Sequence, residues 1–140
     1  MSDLIEKTKA YAEACNRRDV DAIEGLFAED IVFSDPTASN VKSKADVVKL
    51  YRALMKDNGK HFAYIARHIY GAENKTIMQC TIETGKKAMN SVAVFDWENG
   101  KIKKLEAYLD MPFAKVVGWA VLTTNPIMVM LKKIGSVFSR

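Results

Sequence analysis

Apolar residues recur at helical spacing through the first part of the chain and then, past residue 60, alternate with polar ones. Leu4, Ile5, Thr8, Tyr11, Ala12 and Cys15 fall on one face of a first helix. Asp19 suits an N-cap for a second, shorter helix with Ile23, Leu26 and Phe27 on its apolar side and Glu29 and Asp30 at its solvated end. Ile31-Val32-Phe33 reads as a brief strand ended by Asp35-Pro36, and Thr37 to Lys42 as a polar loop. Ser43, with Asp46 three residues on, has the form of a capping box for a third helix. That helix carries Val47, Leu50, Tyr51, Leu54 and Met55, and Asn58-Gly59 stops it. The period then changes to two. His61 to Ala72, Thr76 to Thr84 and, after the turn Gly85-Lys86, Lys87 to Trp97 read as strands. Asn99-Gly100 is a strong hairpin signal leading into Lys101 to Asp110. Helices followed by a meander predict an α+β fold, with the N-terminal helices packed on one face of an antiparallel sheet.

Charge changes this picture only at the end of the chain. Lys115, Lys132, Lys133 and Arg140 all follow the last acid, Asp110, so the formal charge of +4 sits wholly in residues 111–140. The body is neutral, which argues against a nucleic-acid partner, since that would need basic residues clustered on the fold itself. The basic tail is apolar: Phe113 to Leu122 has helical rhythm, Asn125-Pro126 resembles a helix start, and Ile127, Met130, Leu131, Ile134, Val137 and Phe138 form a stripe beside Lys132 and Lys133. The uncharged run from Val116 to Leu131 is shorter than the ~20 residues of a spanning helix, and Pro126 interrupts it. Residues 113–140 are therefore expected as a helical extension, not an independent domain. Two readings stay open for it: packing on the body or on a partner subunit, or peripheral contact with an anionic membrane surface, with Trp119 and Phe138 buried. Two cysteines, Cys15 and Cys80, make no disulfide framework, and the charged N-terminus lacks the form of a signal peptide, so a cytoplasmic location is expected. His61 and His68 lie seven apart on one predicted strand, and an unbroken pleat puts them on opposite faces, so no metal is expected. No nucleotide or phosphate-loop pattern points to a cofactor.

The order helix, helix, Leu26-Phe27-Ala28-Glu29-Asp30, strand, Asp35-Pro36, helix, four strands resembles the SnoaL-like and ketosteroid isomerase-like proteins of the nuclear transport factor 2-like superfamily. The resemblance covers residues 4 to about 110, which sets a domain of residues 1–112. It implies a cone-shaped α+β barrel whose strongly curved sheet wraps around the helices and leaves an apolar pocket at the open end. It also implies two site residues. Tyr11 falls where the isomerases have the phenol that hydrogen-bonds the substrate carbonyl, and Asp35 where they have the general base. The protonated acid of those enzymes has no counterpart: depending on the anchor, Ala93 or Val92 takes its position, and neither can donate a hydrogen bond.

If Ala93 points inward, alternation brings Met89, Ser91, Phe95 and Trp97 to the pocket wall as well. The resemblance supplies Leu105, Ala107 and Leu109 as the facing wall, and His68 is either structural or part of the lining. Such a lining suits a small hydrophobic ligand with one or two polar groups. The opposite strand face carries Val92, Val94 and Tyr108, which the resemblance marks as a homodimer contact. Asp35 also fits a simple turn before proline, and Tyr11 a core tyrosine. Two functions follow: a cofactor-independent isomerase or lyase that moves a proton next to a carbonyl, with Asp35 as base and Tyr11 as oxyanion donor, or a non-catalytic module that binds a hydrophobic ligand, a partner protein or a membrane surface.

Overall fold

The computed structural model describes residues 2–36, 38, 41–56, 61–85 and 87–110. The predicted extension 113–140 and the Asn58-Gly59 helix stop lie outside the described residues. Helix α1 spans Ser2–Arg17, α2 Val20–Leu26 and α3 Lys44–Leu54, and the strands are β1 Phe27–Ser34, β2 Phe62–Ala72, β3 Lys75–Thr84, β4 Lys87–Glu98 and β5 Lys101–Leu109.

Local chemistry accounts for most boundaries. α1 ends where Arg18 takes a left-handed φ of 56° and the Asp19 N–H reaches back to the Ala14 carbonyl at 2.9 Å, a Schellman closure. Asp19 then caps α2, its carboxylate accepting from Ala22 N–H at 3.0 Å. Ser43 caps α3 by accepting from Asp46 N–H at 3.2 Å. Asn99 and Gly100 both have positive φ, as the hairpin between β4 and β5 requires.

The sheet runs in the order β1-β5-β4-β3-β2. Three of its ladders are antiparallel, but β1 lies parallel to β5, Phe33 opposite Leu105 and Ser34 opposite Glu106, so the sheet is mixed and the expected all-antiparallel sheet is corrected. β1 also begins earlier than the helical pattern suggests. Phe27 leaves α2 in extended geometry, and Glu29 and Asp30 belong to the strand rather than to a helix end. Pairing with Ile102 and Lys104 on β5, and the ion pairs of Glu29 with Lys44 and of Asp30 with Lys103, hold this segment extended.

The concave face of the sheet packs around α1, with Ile23, Phe95, Met78, Ile102 and Leu105 at the centre of the core. A buried polar chain crosses it. Trp97 Nε1 donates to Thr76 Oγ1 at 2.9 Å, and Thr8 Oγ1 donates to the Leu4 carbonyl at 2.7 Å. Because the Thr8 hydrogen is spent there, Thr76 is the donor in its 2.8 Å contact with Thr8. The edge strand β2 is plugged by α1: the Asn16 side chain both donates to the Tyr64 carbonyl and accepts from the Tyr64 N–H, each at 2.6 Å. On the convex face, register aligns Tyr70, Ile77 and Val94 in one row and His68, Gln79, Val92 and Tyr108 in the next. Tyr70 and Tyr108 are 54% and 55% exposed there. Among the described residues, no helix is long and apolar enough to cross a membrane.

Candidate active site

An apolar cavity of about 320 Å³ opens between α1, α3 and the concave sheet face. Buried Tyr11, Cys15 and Ala93 form its floor, while exposed Leu54 and Thr84 mark its mouth. Tyr11 reaches it from the middle of α1, and Asp35 from the end of β1. The parallel pairing explains how Asp35 arrives there. β1 runs in step with β5 and ends beside the stretch that holds Leu105, Ala107 and Leu109, all of which line the same cavity. The turn expected at Asp35-Pro36 is also present: Ala38 N–H donates to the Asp35 carbonyl at 3.0 Å, and Asp35 is among the residues that line the cavity. Asp35 thus serves a turn and a cavity wall at once.

Of the residues expected on the wall, Met89, Ser91, Ala93, Leu105, Ala107 and Leu109 line the cavity. Register places Ala93 opposite Met78 on the concave side, and Ala93, not Val92, lines the cavity. Three expected residues lie elsewhere. Phe95 and Trp97 share the inward face but sit deeper, where α1 fills the space: the Phe95 ring packs 5.1 Å from that of Tyr11, and Trp97 is held by Thr76. His68 points out. A bulge between Ala66 and His68 breaks the pleat, pairs His68 with Gln79 and leaves its ring stacked on Tyr70. The unbroken pleat assumed between His61 and His68 is corrected by the same bulge.

The sequence pattern did not bring out the partner of Tyr11. Its hydroxyl hydrogen-bonds with that of Tyr51 from α3, and their rings meet edge to face at 6.4 Å. Tyr64 of β2 completes a cluster of three phenols, its ring 6.1 Å from that of Tyr11. Tyr51 is recognisable in sequence only as a core position on α3; no local pattern tells that α3 sets it against α1. Phe33, Met55, Phe62 and Ile82 add further apolar wall.

Burial dominates the electrostatics. It drives the Tyr11 hydroxyl well above the ordinary phenol pKa, helped by the neighbouring Cys15, Tyr51 and Tyr64 groups. Tyr51 is raised likewise, by burial first, then by Cys15 and with the Asp35 carboxylate adding to the rise. Tyr64 follows for the same first reason. All three phenols are therefore hydrogen-bond donors throughout the physiological range. Burial also pushes the Cys15 thiol up to about 12, which makes it a poor nucleophile. The Tyr11–Tyr51 pair holds two hydroxyl hydrogens and spends one between its oxygens, and the Cys15 thiol lies within hydrogen-bonding reach of Tyr11. Among the described residues, no group of three or more His, Cys, Asp or Glu side chains is placed to hold a metal ion.

A curved sheet wrapped around helices, with a cavity between them, is the fold of the nuclear transport factor 2-like proteins. Residues 8–105 match the SnoaL-like domain family, and the chain belongs to that family. No curated protein matches the sequence. Solved structures share the fold. A nuclear transport factor 2-like protein of unknown function from Burkholderia xenovorans is 20% identical with a TM-score of 0.69, over 87% of this chain and 93% of that one. A ketosteroid isomerase candidate from Kribbella flavida is 13% identical with a TM-score of 0.66, over 75% and 76%. An epoxide hydrolase of the LEH-like type from M. tuberculosis is 18% identical with a TM-score of 0.65, over 78% and 84%. At these identities the likeness is one of fold.

Proposed function

We propose that the cavity binds a small hydrophobic carbonyl compound and that the chain moves a proton beside its carbonyl. The supporting observation is the placing of Asp35 and the Tyr11–Tyr51 pair on the wall of one apolar cavity. In the proposed step the Asp35 carboxylate takes a proton from the carbon next to the carbonyl, and the C–H electron pair moves to the carbonyl oxygen. The phenol pair donates its remaining hydrogen to that oxygen. Asp35 becomes neutral as the enolate gains the charge, so net charge in the cavity is unchanged. Return of the proton to another carbon gives an isomer, and expulsion of a leaving group gives a lyase product. The step balances with no further reactant.

Ala93 supplies no second donor, and one missing oxyanion donor typically costs about 3–4 kcal/mol of transition-state stabilisation. That feature favours a second reading, ligand binding without turnover. Exchange of the acidic C–H protons of 2-tetralone for deuterium, followed by NMR, separates the two. Proton transfer requires exchange that depends on protein concentration and falls at least 100-fold in Asp35→Asn. Exchange at the buffer rate with retained binding establishes the second reading. Indifference to the Asp35 substitution removes Asp35 as the base.

The convex sheet face is proposed as the contact between two copies of the chain. Its rows Tyr70-Ile77-Val94 and His68-Gln79-Val92-Tyr108 combine aromatic and β-branched groups, and Ile77, Tyr70 and Tyr108 are all exposed.

A further inference from the structure

Resting on that reading of the cavity, we infer that the Ser91 hydroxyl is a second anchor for the ligand, one that selects compounds with a further oxygen remote from the carbonyl held by the phenols. Thr8, Thr76 and Ser91 are the buried aliphatic hydroxyls among the described residues. The two threonines are tied to each other, to Trp97 and to the Leu4 carbonyl. Ser91 is different. Its carbonyl accepts from the Cys80 thiol at 3.6 Å, but its hydroxyl has no hydrogen-bond partner among the described residues. Its cross-strand neighbours are Cys80, whose thiol hydrogen is spent on that carbonyl, and the hydrocarbon side chain of Leu109. A hydroxyl sealed in an apolar wall without a partner is costly. Among the described residues, no fully enclosed side-chain oxygen or nitrogen lacks a partner, so this hydroxyl keeps contact with open space. Ser91 is 4% exposed, shares the inward face of β4 with Ala93 and Phe95, and lines the cavity. The open space it touches is therefore the cavity.

This anchor is separate from the phenols. Tyr11 packs on Phe95 and Tyr51 on Phe33, and register sets Phe33, Leu105 and Phe95 in one row across the sheet. Ser91 belongs to the row Cys80-Ser91-Leu109, four residues away along β4. At about 3.3 Å per residue, the backbones of the two rows lie roughly 13 Å apart. Between them the wall is made by the pair Ala93 and Ala107, which is apolar and small. A ligand whose carbonyl oxygen meets the phenols therefore reaches Ser91 with a different atom. A serine hydroxyl both donates and accepts, and its hydrogen rotates to suit, so it pairs equally with a hydroxyl or a keto oxygen. Hydrocarbon laid over it takes away its access to water and returns no hydrogen bond. That asymmetry favours a ligand with an oxygen at this place over the same skeleton without one.

The test is a binding series on the full-length chain, measured by calorimetry at pH 7: 2-tetralone and its 5-, 6-, 7- and 8-hydroxy derivatives, whose ring hydroxyls sample different distances from the carbonyl. At least one derivative is expected to bind the wild-type chain about tenfold tighter than 2-tetralone, the effect of one well-made hydrogen bond. In Ser91→Ala that advantage should vanish while 2-tetralone binds as before. If no derivative binds the wild-type chain tighter than 2-tetralone, the second anchor is overturned, and this comparison needs no variant to fold. An advantage that survives in Ser91→Ala overturns it too, by giving the ring oxygen to another group. Loss of 2-tetralone binding in Ser91→Ala, with unaltered circular dichroism, overturns it by placing Ser91 at the carbonyl. If none of the five compounds binds, the cavity reading itself fails; if 2-tetralone binds and the ring hydroxyls change nothing, that reading stands and only the second anchor falls.

Discussion

The buried chain from Trp97 through Thr76 to Thr8 allows a stability prediction that involves no ligand. Thr76→Val keeps the shape of the side chain and removes only its hydroxyl. The Trp97 Nε1–H then loses its acceptor in a fully enclosed position, and Thr8 loses the hydrogen that Thr76 donates. An orphaned buried donor costs about 1–3 kcal/mol, and the extra methyl recovers less than about 1 kcal/mol. A net loss of about 2 kcal/mol is expected. Thr8→Val should cost less, about 1 kcal/mol, because the Trp97–Thr76 bond survives and the Thr76 hydroxyl can turn. Urea unfolding read by tryptophan fluorescence measures both, and for a chain of this size 2 kcal/mol lowers Tm by roughly 6–10 °C. An unchanged m-value would show that the folded and unfolded states are otherwise alike. A loss below about 0.5 kcal/mol for Thr76→Val, or a larger loss for Thr8→Val, would refute the assigned direction of the chain.

Alkaline pH should weaken the fold, because Cys15, Tyr11, Tyr51 and Tyr64 all have folded pKa values above their unfolded ones. Each raised group holds its proton in the folded state after the unfolded chain has released it, so stability is constant below the unfolded pKa and falls as pH rises above it. Cys15, with its thiol pushed from 9.0 to about 12, comes into play first, at about 1.4 kcal/mol per pH unit, and the tyrosines follow above about pH 10. Urea titrations at pH 8–11 should show this slope, and Cys15→Ala should remove the part between pH 9 and 10; an unchanged profile in that variant contradicts the burial of the thiol. For the convex face, light scattering should find the wild-type chain as a homodimer and Val94→Asp as a monomer with unaltered circular dichroism. A monomeric wild-type chain would rule out the pairing.

Local signals carried most of the fold and part of the site. The apolar spacing of α1, the Asp19 and Ser43 caps and the Asn99-Gly100 turn each act within a few residues, and each appears where the pattern puts it. From Phe27 to Asp30 the helical rhythm is overruled by pairing with a strand far along the chain. Alternation correctly chose the inward face of β4. It could not say how far α1 fills the cone, so Phe95 and Trp97 were placed on a wall that lies further along the strand. One extra residue in β2 turned His68 outward, and nothing in its neighbours marks the bulge. Tyr51 was legible as core but not as the partner of Tyr11, since their meeting depends on how two helices approach.

The parallel pairing of β1 with β5 also has a consequence in time. Phe27 finds its partner in Ile102, so on the ribosome β1 waits for β5. At roughly 5–20 residues per second that wait is about 4–15 s. Throughout it Phe27, Ile31 and Phe33 have no strand to lie against, and their own local preference is helical up to Phe27. The nascent chain therefore spends its synthesis with the Asp35 side of the cavity unbuilt, and closure of the sheet by β5 is the event that creates the site.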